Sequence, residues 1–479
     1  MAGLTGRVAR LNRRACPVND TNESEDAPTG ATPTPPGAGL TSSRAWVRRG
    51  RARGRRLFLR YGLPWGAALV VGLVAVLYAR WSEDAYEIFL HAIAGRAWLA
   101  FLITPAMTML AVFLTQRWFS GSEGSGIPQV IAALHAPPDE TMMNRLFGLR
   151  VIVGKLGVSL LGFLGGLTIG REGPTVHLGA AIMAETRRFY PHQGRHLERA
   201  LLLAGAAAGL SGAFNTPLAG VIFAIEELAR DFESRTNGVM ITAVVFSGLT
   251  SLALAGNYLY FGQIVVPNNF HFSFVAPVLV VSIVCGLSGA AFNWALLRWE
   301  QWMPAPLRAW RAHKPMLYAA LIGLAVAALG VATHGQTWGS GYDQARNLLE
   351  GKAEISGSFA LSKWLAMVIS YMAGMPGGLF SPSLSIGAGL AQWVHWLFAS
   401  AAMPALIALC MAGYLAAVTQ SPLTSFVIVM EMTNGTGLMI PMMAVALASS
   451  RISNVFTPPL YEALAEKNYF GRTHAAAPA

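Results

Sequence analysis

The chain has 479 residues, of which 54% are hydrophobic and 12% charged, with a mean hydropathy of +0.45. Soluble domains carry about 25% charged residues, so the composition excludes an ordinary soluble domain and defines an all-α polytopic membrane protein. The net charge of +11 is concentrated near the N-terminus and does not argue for nucleic acid, and the scattered Cys16, Cys285 and Cys410 build neither a disulfide framework nor a metal cluster.

Residues 1–40 are rich in Pro, Gly, Ser, Thr and Asn, a composition that supports no core and predicts disorder. Eight arginines follow within residues 44–60, and a basic run before the first span marks the cytoplasmic side and suits anionic lipid. This segment lacks the early apolar region of a signal peptide. Residues 1–56 therefore form a disordered basic cytoplasmic tail, 57–466 a membrane domain and 467–479 a C-terminal tail.

Spans are predicted over residues 61–79 and 97–116. A glycine-rich loop, G-S-E-G-S-G-I-P-Q at 121–129, then opens a short helix closed by Pro137-Pro138. Residues 152–184 form a broken span, followed by a basic loop with Arg187, Arg188, Arg195 and Arg199. A second broken segment, 200–225, is interrupted at Asn215-Thr216-Pro217 and ends at Glu226 and Glu227. These two glutamates point about 100° apart on a helix, which predicts separate roles. Further spans are predicted over 239–255, 274–297 and 316–331, with the polar stretch 335–363 as the main internal loop. A further broken region at 371–399 and apolar segments at 403–415, 422–430 and 437–450 follow, and Arg451 begins a last helix holding Pro458-Pro459-Leu460-Tyr461.

The broken span 152–184 carries the chemistry. Gly170-Arg171-Glu172-Gly173-Pro174 separates the uncharged runs 156–170 and 175–184, each too short to cross a bilayer alone. Irregular backbone at membrane depth is tolerated where it lines a cavity or is buried in protein. Pro174 suits the first turn of a new helix, whose free N–H groups form an anion site. Glu172 is itself an anion beside that site, which makes it a candidate gate.

The pattern repeats. Residues 170–180 and 378–388 both read G-x-x-x-P-x-x-x-[L/I]-G-A, with Pro174 and Pro382 208 residues apart. Pro217 and Pro422 lie 205 apart, each followed nine residues later by a glutamate, Glu226 or Glu431. Two elements recurring in order at one offset indicate two homologous halves, about 61–257 and 272–450, and interrupted segments at matching positions point to a transporter's binding site.

On these residues the chain resembles the CLC family of chloride channels and chloride/proton antiporters, in its bacterial form without C-terminal regulatory domains. The resemblance covers roughly residues 60–466 and rests on G-S-G-I-P at 124–128, G-R-E-G-P at 170–174, F-N-T-P-L-A-G-V-I-F-A-I-E-E at 214–227, G-x-F-x-P at 378–382, and Tyr461. It implies an inverted repeat of tilted, partly broken helices, assembled as a homodimer with one ion pathway per subunit. It gives Glu172 the role of gating glutamate and Glu227 that of internal proton-transfer glutamate. Chloride would be bound by the hydroxyls of Ser125 and Tyr461, by the backbone N–H groups of Leu379 and Phe380, and by those from Arg171 to Gly173. Ser125 favours chloride over nitrate.

The implied function is chloride/proton antiport in the cell inner (plasma) membrane, with chloride, protons and lipid as partners, a cytoplasmic N-terminus and no cofactor. The alternative is a passive voltage- or pH-gated chloride channel of the same fold. A fluoride exporter fits Ser125 and Tyr461 less well, and an enzyme is not implied: H-E-x-x-H and G-x-S-x-G are both lacking. His177, just over a turn beyond Glu172, reads as a packed or hydrogen-bonded polar residue rather than a proton relay.

Overall fold

In lipid the backbone has no water to bond, so apolar runs satisfy their N–H and C=O groups internally as helices. A computed structural model describes residues 51, 53–55, 58–135, 140–190, 194–229, 234–256, 259–264, 275–352 and 356–470. All but residues 51 and 53–55, which are helical and fall in a separate unit (Met1–Arg55), belong to the unit Arg56–Ala479. The expectations for residues 1–50, for Pro137-Pro138 and for residues 471–479 lie outside the described residues.

The first half comprises α1 (Leu63–Ile93), α2 (Ala100–Arg117), α3 (Ile127–His135), α4 (Glu140–Phe147), α5 (Leu149–Leu164), α6 (Glu172–Glu185), α7 (Arg195–Phe214), α8 (Pro217–Phe223) and α9 (Ser234–Ala255). The second comprises α10 (Val275–Trp302), α11 (Ala305–His313), α12 (Pro315–Ala332), α13 (Tyr342–Leu349), α14 (Phe359–Met372), α15 (Phe380–Leu397), α16 (Met403–Thr419), α17 (Pro422–Thr433) and α18 (Met439–Phe456), with α19 (Leu460–Ala465) after it. Among the described residues, eight helical segments are long and apolar enough to cross a membrane. The protein is a multi-pass membrane protein built from an inverted repeat of partly broken helices.

Three boundaries differ from the sequence expectation. α1 does not stop at residue 79 but continues through Arg80, Glu83 and Glu87, because its polar end lines a cavity where charges are solvated or paired. The stretch 335–363 is not one loop: it holds α13 and the start of α14, and Lys363 is fully buried. Arg451 lies inside α18, and Pro458-Pro459, which cannot supply helical N–H groups, separate it from α19.

The two halves interlock through reciprocal contacts. Gly170 and Gly378 exchange backbone hydrogen bonds of 2.8 and 2.7 Å, joining the breaks before α6 and α15. Glu431 on α17 accepts from the N–H groups of Leu218 and Ala219 at the start of α8, while Glu226 accepts from those of Leu423 and Thr424 at the start of α17. Each half thus caps the other's half-helix. Packing is close because glycines permit it: a Cβ on Gly179 of α6 would lie 2.2 Å from the Gly205 carbonyl of α7, and one on Gly387 of α15 would lie 2.6 Å from the Cys410 carbonyl of α16.

Candidate functional site

Four helix N-termini converge where the halves meet. The loop before α3 turns at Gly126, where φ is +97° and a Cβ would lie 2.4 Å from the His177 side chain, so both the turn and the packing require glycine. That turn seats Ser125 beside α6: a Cβ on Gly173 would be 3.0 Å from the Ser125 Cβ. The Ser125 hydroxyl accepts from Ile127 N–H at 3.2 Å, opening α3. Lys155, fully buried on α5, holds the same loop by donating to the carbonyls of Ser122, Glu123 and Gly124 at 2.8, 3.3 and 2.8 Å.

Glu172 is fully buried at the start of α6, and its carboxylate reaches across to the start of α15. Oε1 accepts from the Ser381 hydroxyl, and Oε2 accepts from the Ser381 N–H at 3.3 Å. The Tyr260 hydroxyl lies 3.5 Å from Oε1. A helix start presents unpaired N–H groups and a positive dipole end, so the carboxylate sits where an anion is favoured.

Leu379 and Phe380 form the first residues of this same turn. Phe380 is clamped between rings, 6.1 Å from Phe223, 6.3 Å from Phe214, and stacked at 6.1 Å on Tyr461. The Tyr461 hydroxyl, on α19, is buried beside the Ser125 side chain. Two adjacent buried hydroxyls can both turn donors toward an anion. Tyr461 also lies within electrostatic reach of both Glu172 and Glu227.

The Arg171 side chain reaches this centre only through Tyr260, whose hydroxyl accepts from Nη2 at 3.5 Å. It donates to the Ala79 carbonyl at 2.8 Å and pairs with Glu83 at 2.7 Å, its guanidinium 5.6 Å from the Tyr260 ring centroid. Only its backbone belongs to the α6 N-terminus.

Two cavities reach the site. One of about 430 Å³ is lined by Glu172, Arg171, Glu83 and Tyr260. The other, about 150 Å³, is lined by Ser125, Leu379, Arg311 and Lys467. Glu172 lines the first and Ser125 the second.

The neighbours Glu226 and Glu227 sit in a π-helical turn, Ala224–Ala229, a wide turn frequent at functional sites. Glu226 is occupied by capping α17. Glu227 points inward, is 3% exposed, and accepts a hydrogen bond from the Ser421 hydroxyl. His177 is a buried packing residue: Nε2 bonds the Leu146 carbonyl at 2.8 Å and its ring meets Phe147 edge-on.

The structure therefore brings Ser125, Glu172, Gly173, Leu379, Phe380 and Tyr461 to one centre, with Glu227 nearby. Sequence reasoning missed Ser381, Tyr260, Lys155 and Ser421. Ser381 was legible as a hydroxyl at an unconstrained position of G-x-F-x-P. Tyr260 carries no motif and lies in the uncharged run 236–297.

Broken half-helices whose N-termini meet where the two halves join, with a buried carboxylate at the junction, define a membrane transport protein for anions. A family model described as voltage gated chloride channel matches residues 107–454, and the chain belongs to that family, the CLC proteins. It is 32% identical over 433 residues to an H(+)/Cl(-) exchange transporter ClcA of Yersinia pseudotuberculosis, covering 83% of this chain and 85% of that one. It is 31% identical over 464 residues to the ClcA of Klebsiella pneumoniae, covering 88% and 92%. Among solved structures, a slow cyanobacterial Cl-/H+ antiporter superposes with a TM-score of 0.70 at 25% identity, covering 86% of this chain and 98% of that one. A CLC-type fluoride/proton antiporter shares the fold, with a TM-score of 0.71 at 20% identity over 84% and 96% of the two chains.

Proposed function

We propose that this protein exchanges chloride for protons across the cell inner membrane, with its N-terminus in the cytoplasm. The observation that carries this reading is the seat of Glu172, a carboxylate bonded at the α15 N-terminus in the position of an anion. Chloride and carboxylate compete for that seat. Protonation removes the carboxylate's charge, so it releases the helix start and chloride enters; the next chloride or the returning carboxylate displaces it. Proton binding and anion occupancy are thereby linked.

Chloride is held by the hydroxyls of Ser125 and Tyr461, by the N–H groups of Leu379 and Phe380, and by the α6 start from Arg171 to Gly173. Hydroxyls and N–H dipoles replace hydration without the trapping effect of a full positive charge, which permits exit as well as entry. Glu227, buried against Ser421, loads protons from the cytoplasmic side while staying off the anion path. The exchange activity named for the Yersinia and Klebsiella relatives supports the coupling. The assembly is a homodimer joined through the apolar faces of α9 and α18, where Ile241, Val245, Leu249 and Ile440 stand exposed in the single chain.

The test is reconstitution of the full chain into liposomes with simultaneous chloride and proton recording. A chloride gradient should drive protons uphill. Chloride flux without uphill proton movement would leave a passive anion channel.

A further inference from the structure

Position 381 is unconstrained in the motif G-x-F-x-P, and a serine there changes what the carboxylate of Glu172 meets. The Ser381 hydroxyl donates to Oε1 while its own backbone N–H, 3.3 Å away, donates to Oε2. One residue therefore holds both oxygens. The Tyr260 hydroxyl, 3.5 Å from Oε1 and 3.5 Å from the Ser381 hydroxyl, closes the pair from the side of the larger cavity. All three residues are buried: Glu172 is 0% exposed, Ser381 1% and Tyr260 3%.

We infer that Ser381 is a gate-positioning residue: its hydroxyl, backed by Tyr260, holds the ionised carboxylate of Glu172 on the α15 helix start and so sets the pH at which chloride displaces it. The inference rests on the reading of Glu172 as the gate. Its physical basis is that a hydroxyl donor strengthens the seat of a charged acceptor more than that of a neutral one. Other groups also face this carboxylate. Arg171 pairs with Glu83 and donates to the Tyr260 hydroxyl at 3.5 Å, Tyr78 on α1 donates to Ser159, and Tyr461 approaches from α19. Asp343 and Arg346 line the cavity further out. Ser381→Ala removes the hydroxyl donor to Glu172 together with its contact to the Tyr260 hydroxyl. The backbone N–H of residue 381 is retained.

The measurements are chloride flux against pH in liposomes and chloride affinity by calorimetry, on the full chain. Ser381→Ala should move the flux midpoint up by about one pH unit, tenfold in proton concentration. At pH 7.5 chloride should bind about tenfold more tightly, because its competitor is less firmly seated. Tyr260→Phe keeps the ring against Phe214, Phe261 and Tyr342 and should shift both readouts in the same direction by a smaller amount. In a Glu172→Gln background, adding Ser381→Ala should alter neither readout. If Glu172→Gln abolishes the pH dependence while Ser381→Ala and Tyr260→Phe leave the midpoint and affinity at wild-type values, the clamp is wrong and the gate stands. If Glu172→Gln retains the wild-type pH profile, the gate reading fails and the clamp falls with it. A downward midpoint shift in Ser381→Ala also overturns the clamp.

Discussion

Lys155 and Lys363, 208 residues apart and both fully buried, perform the same task in opposite halves. Lys155 donates to the carbonyls of residues 122, 123 and 124, and Lys363 to those of 337, 338 and 339 at 2.9, 3.1 and 2.9 Å. The first loop carries Ser125. The second supports the break before α6, where the Thr168 hydroxyl donates to the Thr337 carbonyl at 2.6 Å.

Replacing either lysine by methionine keeps the stem and removes the donor. Three carbonyls then lose their lysine donor, which should lower stability by about 3 kcal/mol. Thermal unfolding in detergent measures this. Lys155→Met should also weaken chloride binding, through the loop that positions Ser125. Equal melting temperatures for Lys155→Met and the wild type would show that the loop holds itself.

Glu226 and Glu431 should behave as structural caps. Glu431 accepts at 3.2 and 2.7 Å from the start of α8, and Glu226 at 3.0 and 2.6 Å from the start of α17. Substitution of either by Ala should cost about 1–2 kcal/mol, the scale of a lost N-terminal cap. Proton coupling per correctly folded molecule should be unchanged. Loss of coupling in Glu226→Ala, with its melting temperature intact, would move that residue into the transport machinery.

Most of this architecture was legible because its signals are local. Gly170 to Pro174 and Gly378 to Pro382 announced the two breaks, and Pro217 and Pro422 announced the second pair of half-helices. The constant offset revealed the repeat. What escaped depends on contacts between segments distant in sequence. Lys363 reads as a loop charge until α14 places it against residues 337–339, and Glu83 reads as a residue beyond the first span until it meets Arg171, 88 residues on. Tyr260 is a tyrosine in an apolar run, and only the fold carries it to Glu172 and Ser381. The extended end of α1 was missed because charged residues ordinarily end a span, whereas here they line a cavity.

Residues 1–40, whose composition supports no core, should be dispensable for transport. Their deletion should leave chloride flux per molecule within about twofold, a difference under about half a kcal/mol. The comparison is made in liposomes with matched protein content. Complete loss of flux in correctly inserted protein would assign the tail a role in gating or assembly.

The two inward glutamates should separate cleanly. Glu172→Gln is nearly isosteric and imitates the protonated gate, removing the charge that competes with chloride at the α15 helix start. Chloride should still move, uncoupled from protons and with little dependence on pH. Glu227→Gln leaves the Glu172 seat intact and removes only the group buried against Ser421. Chloride should pass, and uphill proton movement should stop. Retained pH sensitivity should distinguish Glu227→Gln from Glu172→Gln, since the gating carboxyl is still present. Two carboxylates serving only as structural anchors would instead give poor expression or a uniform loss of flux in both variants. Proton pumping driven by chloride in Glu227→Gln would show that protons reach the gate by another route, and full coupling in Glu172→Gln would place the gate elsewhere.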